Sequence, residues 1–471
     1  MGISITGMVS QLDTAKMVSD LMNIERIPYK NLETKRTNLQ KEQAIFRNIN
    51  TAFRSLETAL NNLRYASDWN QLKGISSNTN ALKISTDNTV QKGEYDINVK
   101  QLATKNVVQI DGAHLISKMQ PGSKINIGDL EIDYDSISGN TTQDKLKNIA
   151  NIINATNSGA KATASVIKTS SNDEYSLVLN AQETGSSNAV NFSLKDQSGS
   201  AILLDNDKVT QIEGKDAELT INGATVTRSS NEIKDLIDGA TLTLTGTGQS
   251  TVSVGMDTEG IVSKVKEFVT AYNNLIGMVK DNLKKPEAEG VMNPLQGDSL
   301  LRQINDQLYN IFNAGVAIGG TEPRSFMEQI GLSIDKGITK GSLMTGKIKF
   351  DEEMFKNALA DDSSKVIELF TQNETQLVNG KKSAGVITQF TSIINNYTST
   401  VNGLLSNKVT GYDSEIKFVD QRLETMTRSL EMKEARLKLQ FSTMETMLST
   451  LQNEQKWLSS QFDSLSKSNS K

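Results

Sequence analysis

The chain has 471 residues, with 50 Lys and Arg against 55 Asp and Glu, a net charge of −5 and a pI of about 5.4. That length builds roughly three or four domains with substantial cores, and the acidic balance offers no global field to nucleic acid. Cysteine is absent and histidine occurs once, at His114, which removes disulfides, thiolate nucleophiles, Cys-based zinc sites and any His-dependent triad within one chain.

The first residues, MGISITGMVSQLD, are small and polar and are expected to be flexible. They lack the charged leader and apolar core of a secretory signal, so an exported chain would keep them. A helix is predicted from Thr14, read as its N-cap after Asp13, with Val18, Leu21 and Met22 on one face. Pro28 interrupts or kinks it. Every seventh residue is then apolar: Leu32, Leu39, Phe46, Phe53 and Leu60, with Ile49, Leu56 and Leu63 as companions. Residues 23–64 hold eight Lys and Arg against four Glu, spread around the helix as a solvated face.

Near Gly74 the pattern turns to Thr/Ser/Asn-rich alternation, predicting half-exposed antiparallel strands to about residue 257. A weak repeat lies inside. "INIGDLEIDYD" reads as a hairpin followed by a helix at 141–154, opened by Thr141 and Asp144. "LTINGATVTR" reads as a hairpin followed by a helix at 229–237, opened by Ser229 and Glu232. Nesting of the first unit in the second accounts for 82–110 as strands of the second. Helical patterning returns at Gly260, with Val262, Val265, Val269, Tyr272 and Ile276 on one face, and the Pro-containing stretch 285–295 ends it. Asp298 opens another helix. Two short strands and two helices follow, and helix resuming near Ile387 leads into the C-terminus.

From Gly411 the sevenfold series has no gap: Ile416, Leu423, Leu430, Leu437, Met444, Leu451, Leu458 and Leu465. Companion positions are Val419 and Met426, then Phe441, Leu448 and Phe462. Neither Pro nor Gly follows Gly411, so a helix of about 75–80 Å is predicted, too long for one ordinary domain without a long partner. The N-terminal series supplies one. All thirteen heptad residues, five from the first series and eight from the last, are candidate coiled-coil and oligomerisation positions.

No catalytic, cofactor or metal constellation emerges. Gly341 to Lys347 has phosphate-loop spacing, but Ile348 replaces the Ser or Thr that holds Mg²⁺ and a strand follows in place of a helix. "TGTGQST" at 245–251 sits between strands, and "DND" at 205–207 lacks the later ligands of a calcium loop. No stretch approaches the roughly 18–20 apolar residues of a membrane span.

Eight phrases in order carry a resemblance: "GMVSQLDTAKMVSDLM", "GEYDINVKQLAT", "AELTINGATVTRSSNEIKDLIDGATLTL", "VKEFVTAYNNLI", "PLQGDSLLRQI", "IGLSIDKG", "KIKFDEEMFKNAL" and "QFSTMETMLSTLQNEQKWLSSQF". Together the chain resembles the flagellar filament cap family, also called flagellar hook-associated protein 2; residues 113–204 are the least family-like part. The resemblance implies export through the flagellar type III apparatus without a cleaved signal. It also implies an extracellular ring at the filament tip, most often a pentamer, that retains flagellin and helps it fold into place. The implied partners are flagellin, the hook–filament junction protein and an export chaperone at the C-terminal region. Rival readings are another axial flagellar protein, or an extracellular adhesin with a ligand-binding β head on a coiled-coil stalk. The expected fold is multidomain α+β: terminal flexible or coiled-coil segments at 1–45 and 440–471, and a helical leg at 46–74 and 258–439. A β-rich head module is expected at 75–112 and 205–257, with a second, inserted, at 113–204.

Overall fold

The computed structural model describes residues 13–468 except 88, 156–158, 172, 285–292, 339, 341–342 and 378–381, with side chains in the last helix to Asp463. The opening residues 1–12 and most of the Pro-containing stretch therefore lie outside the described residues. The chain divides into two compact units, Met1–Asp68 with Thr258–Lys471, and Trp69–Asp257.

Helix α1 (Thr14–Glu25) is capped by Asp13, whose carboxylate accepts from the Lys16 N–H at 2.8 Å. The cap is thus one residue before the expected threonine, which is buried instead. Val18 and Met22 are buried, whereas Leu21, expected beside them, is exposed. Pro28 falls in the first turn of α2 (Ile27–Asn61), where a missing N–H breaks no helical bond, so only Arg26 separates the two helices. A single turn, α3 (Ala66–Trp69), follows.

The β-rich unit runs β1 (Leu72–Ser76), β2 (Leu82–Thr86), β3 (Gly93–Gln101), β4 (Lys105–Asp111), α4 (Gly112–Lys118), β5 (Lys124–Ile127), β6 (Leu130–Asp133) and α5 (Thr142–Asn154). It continues with β7 (Ala162–Lys168), β8 (Tyr175–Thr184), β9 (Phe192–Lys195), β10 (Ala201–Ile202) and β11 (Val209–Ile212). The last strands are β12 (Ala217–Ile221), β13 (Ala224–Arg228), β14 (Glu232–Ile237), β15 (Ala240–Leu244) and β16 (Gly248–Met256). An outer module pairs β1-β16-β3-β12-β13 and β14-β15-β2 around Leu82, Ile97, Leu219, Leu242 and Val252. An inner module pairs β11-β4-β8-β7 and β10-β9-β5-β6 around Ile110, Leu146, Ile149, Leu177 and Leu179. Strands β4 and β11 belong to the inner sheet, outside the 113–204 span read from the sequence, because Val108 and Ile110 alternate into the inner core.

The helix expected at 141–154 is α5. Thr141 Oγ accepts from the Asp144 N–H at 3.1 Å and the Asp144 carboxylate accepts from the Thr141 N–H at 3.2 Å. The helix expected at 229–237 is instead strand β14. Only a few residues separate Asn231 from the Gly239 turn, whose φ is +73°, too few to repay helix nucleation. Strand β15 offers a ladder, with Ile233 opposite Leu242, and both Ile233 and Ile237 are buried by it.

Three asparagines act as substitute peptide groups. Asn154 accepts from Ala164 N–H (2.8 Å) and donates to its carbonyl (2.7 Å). Asn231 does the same for Ala103 at 2.8 and 2.8 Å, and Asn273 for Ile348 at 2.7 and 2.9 Å. Each satisfies a backbone pair that no strand reaches.

The helical unit resumes with α6 (Thr258–Leu283), α7 (Ser299–Ala314), β17 (Leu332–Ile334), β18 (Ile348–Phe350) and α8 (Glu352–Thr371). Then come β19 (Thr375–Gln376), β20 (Lys382–Ser383), α9 (Val386–Thr398) and α10 (Leu404–Ser468). Val262, Val265, Val269, Tyr272 and Ile276 all face the core. Tyr272 meets Phe312 and Phe390 edge-on, with centroids 5.4 and 5.9 Å apart. The two helices expected after β18 form α8, broken at Asp362 (φ −149°, ψ 84°). Helix does not run on from Ile387 into the C-terminus: Gly403 ends a turn in which its N–H donates to the Ser399 carbonyl, where any side chain would strike that oxygen.

Candidate functional site

Helix α10 has 65 residues, about 100 Å, and α2 packs against its first half. The two run antiparallel, because partners descend from Arg47 and Arg36 of α2 to Arg26, between α1 and α2, as they ascend on α10: Arg47 with Asp413 (3.2 Å), Arg36 with Asp420 (3.5 Å) and Arg26 with Glu434 (3.3 Å). Lys35–Glu415 adds a pair within this span, and Lys433 pairs with Glu25 at the end of α1. Exposed pairs of this kind contribute about 0–1 kcal/mol each, so they fix register more than stability.

The apolar seam is narrow. Leu39, Val419 and Leu423 form its buried centre, with Tyr29, Leu32, Tyr412 and Ile416 half-buried around it. At its lower end Phe46 stacks on Tyr412 with centroids 5.8 Å apart, and Lys408 Nζ lies 5.5 and 5.7 Å from those two rings while pairing with Asp298 at 3.5 Å. Buried Gln43 donates to the Val409 carbonyl (3.2 Å) and the Asp413 carboxylate (2.6 Å). Burial pushes the Tyr412 hydroxyl well above its ordinary range, aided by a hydrogen bond with Glu42. Further down, Phe53 stacks on Tyr397 of α9 at 5.5 Å. Leu60 is fully buried in the part of α2 that packs with α6 and α9. The first heptad series therefore serves two surroundings, the seam for Leu32 and Leu39 and a helical bundle for Phe53 and Leu60.

The second series fades along α10. Leu430, Leu437 and Met444 are half-buried, and α1 packs on the helix in this neighbourhood. Leu451 is 59% and Leu458 48% exposed, with no described element over them. The side chain of Leu465 lies outside the described residues. A second stripe escaped the sequence reading: Phe418, Met432, Leu439, Met447 and Trp457 are all exposed. Its signal was the sevenfold step from Met432 to Leu439, with Phe418 two steps earlier; Thr425 between them masked it.

Elsewhere the chemical candidates resolve into structure. His114 Nε2 accepts the Asp205 N–H at 3.1 Å, and Lys118 pairs with the Asp205 carboxylate at 3.5 Å, so "DND" is a pinned turn. In the phosphate-loop look-alike, the Asp335 carboxylate accepts from the Thr345 N–H and hydroxyl (2.9 and 2.9 Å) and the Gly346 N–H (2.7 Å). The chain's own carboxylate satisfies these donors. The 245–251 turn links β15 to β16, with Thr245 Oγ donating to the Asn80 carbonyl at 2.9 Å. Among the described residues there is no group of three or more His, Cys, Asp and Glu able to hold a metal, and no helix long and apolar enough to cross a membrane.

A β-rich unit of two nested modules, carried in a chain whose two ends form a long antiparallel helix pair, matches a solved architecture. The crystal structure of the flagellar cap protein FliD D1-D2-D3 domains from Escherichia coli superposes with a TM-score of 0.50 at 27% identity, covering 78% of this chain and 99% of that one. Family models for the flagellar hook-associated protein 2 C-terminus and N-terminus match residues 214–453 and 10–106. The chain belongs to the flagellar hook-associated protein 2 family. It is 26% identical to the Campylobacter jejuni member over 420 residues (78% of this chain, 63% of that one). Against the Salmonella typhimurium member it is 29% identical over 287 residues (58% of this chain, 55% of that one). The matches to the Campylobacter jejuni and a Helicobacter pylori member span 63% and 47% of those proteins' lengths.

Proposed function

We propose that this chain is a filament cap, acting at the distal tip of a bacterial flagellum as a homo-oligomeric ring, a pentamer, that retains exported flagellin and promotes its folding and insertion. Family membership supports the reading. The single observation that carries it furthest is the uncovered apolar surface of α10: one face is taken by α2 and then by α1, while Leu451, Leu458 and Phe462 beyond them stay exposed. Such surface gains stability only on assembly, coupling order to docking. Flagellin and the hook–filament junction protein are the partners at the tip, and an export chaperone covers the C-terminal region before secretion. Export proceeds through the flagellar type III apparatus with the N-terminus retained. Seams of half-buried residues release and re-engage readily, which suits a ring that steps as each flagellin inserts.

The test is removal of this chain from its own cell. Monomeric flagellin should accumulate in the medium, filaments should be absent, and added purified protein should restore growth. Normal filaments with loss only of surface attachment would replace the cap reading with an adhesin.

A further inference from the structure

Two strand crossings join the modules of the β-rich unit, Leu102–Thr104 between β3 and β4, and Glu213–Asp216 between β11 and β12. Two crossings alone would make a hinge. Here they pair with each other: the Thr104 N–H donates to the Lys215 carbonyl at 2.9 Å, and the Lys215 N–H donates to Thr104 Oγ at 3.1 Å. The inner module then sends a strap, the loop after β8, onto the outer one. Along it the Gly185 N–H donates to the Thr104 carbonyl (3.0 Å), Thr184 Oγ donates to the Ser229 carbonyl (2.6 Å), and Ser186 N–H and Oγ both donate to the Asp216 carboxylate (2.8 and 2.8 Å). Asn231 grips both backbone groups of Ala103 from the other side.

The fit is tight. Gly185 has φ +111°, and a Cβ there would lie 2.6 Å from Ser229 Cβ; a Cβ on Gly214 would lie 2.6 Å from the Gly185 carbonyl oxygen. Both glycines are where one backbone passes against another. Asn106, itself buried, ties the strap inward by accepting from the Val190 N–H (2.9 Å), and holds the end of β11, beside the second crossing, by donating to the Ile212 carbonyl (3.0 Å). A hinge needs a few unrestrained residues able to absorb φ/ψ change, and both crossings are restrained on two sides.

We infer that the inner and outer modules form one rigid body whose mutual angle is set by the Asp216–Ser186 and Asn231–Ala103 contacts, making Asp216 and Asn231 positioning residues of the joint. This does not depend on the capping function. A surface on the inner module is then presented at a fixed angle, and force on one module passes undamped to the other.

The natural absence of cysteine makes the test clean. Thr163→Cys on β7 and Thr225→Cys on β13, both exposed, are introduced into the full chain, spin-labelled, and their separation read by double electron–electron resonance. One narrow distance peak is expected. Asp216→Ala with Asn231→Ala should at least double its width while circular dichroism stays that of the folded chain. Should that double variant fail to fold, Ser186→Ala takes its place, with a smaller broadening expected. A broad or multiple peak in the labelled parent would overturn the inference, as would an unchanged width in the folded variant.

Discussion

Leu423 and Leu458 occupy equivalent heptad positions on one helix, yet one is buried and the other half exposed. Around Leu423, α2 supplies Leu39, Leu32 and Tyr29 from a chain already held in a bundle. Around Leu458 the same pattern meets no described partner. The heptad thus specifies a face, and the stability that face contributes depends on what is brought to it. Helix propensity alone sustains long exposed helices only marginally, so the two ends of α10 should differ in exchange, in mutational cost and in response to assembly.

The largest effect is expected at the rooted end. Phe46→Ala, which removes a fully buried ring stacked on Tyr412, should cost about 3–5 kcal/mol, and Leu423→Ala about 2–5 kcal/mol. Hydrogen exchange along α2 and the first half of α10 would register both. If Phe46→Ala leaves that exchange untouched, the seam is not what orders these helices. Next comes the double variant Leu430→Ala with Leu437→Ala. These side chains are half-buried, so about 1–3 kcal/mol in total is expected, with ring assembly lost and the β-rich unit's melt unchanged. An intact ring, seen by analytical ultracentrifugation, would remove both residues from the seam.

Alkaline pH sharpens the contrast further. Burial pushes the Tyr397 hydroxyl up to about 12, and its O–H donates to Gln307 Oε1 at 3.0 Å. Between the ordinary value of about 10 and about 12 the native state keeps a proton that the unfolded chain has lost. The stabilisation is therefore complete below pH 10 and disappears as pH rises through 12. Tyr397→Phe should flatten the fall of the bundle's stability over that window, read by denaturant titration at stepped pH; an identical slope would show that the hydroxyl ionises freely. The smallest effect is expected at the far end: Leu458→Ala should change thermal stability of the isolated chain by less than about 0.5 kcal/mol while weakening assembly. A larger loss in the monomer would mean that a partner covers this stretch within one chain.

Much of this was legible before any coordinates. The heptads placed both long helices, and the capping residues at Thr141 and Asp298 marked true helix starts. What failed did so for local reasons. Ser229 and Glu232 look like Thr141 and Asp144, but Asp144 is followed by a run long enough to propagate and Glu232 is not. Its fate was decided by β15, a neighbour that periodicity cannot show. Strands β4 and β11 were assigned to the wrong sheet because alternation reveals which residues share a face and not which core that face meets. At the seam, sevenfold spacing found the residues facing α2 but had no means of saying where α2 stops being available. The Asp335 carboxylate in the phosphate-loop look-alike was equally hidden, since spacing does not show which side chain satisfies a loop's N–H groups.

The asparagines that stand in for peptide groups bear on how this molecule ages. Hydrolysis of an asparagine amide to a carboxylate replaces a donor with an acceptor, and at Asn154, Asn231 or Asn273 the new oxygen would face the carbonyl it formerly held. None of the three is followed by glycine, whose unhindered nitrogen makes that hydrolysis quick. Asn222, Asn379 and Asn402 are; of these, Asn222, at the tip of the β12–β13 hairpin, uses its side chain as an acceptor, from the Asp96 N–H at 2.9 Å. The asparagines whose amides hold both backbone groups of a partner are thus placed in sequence contexts where decay is slow.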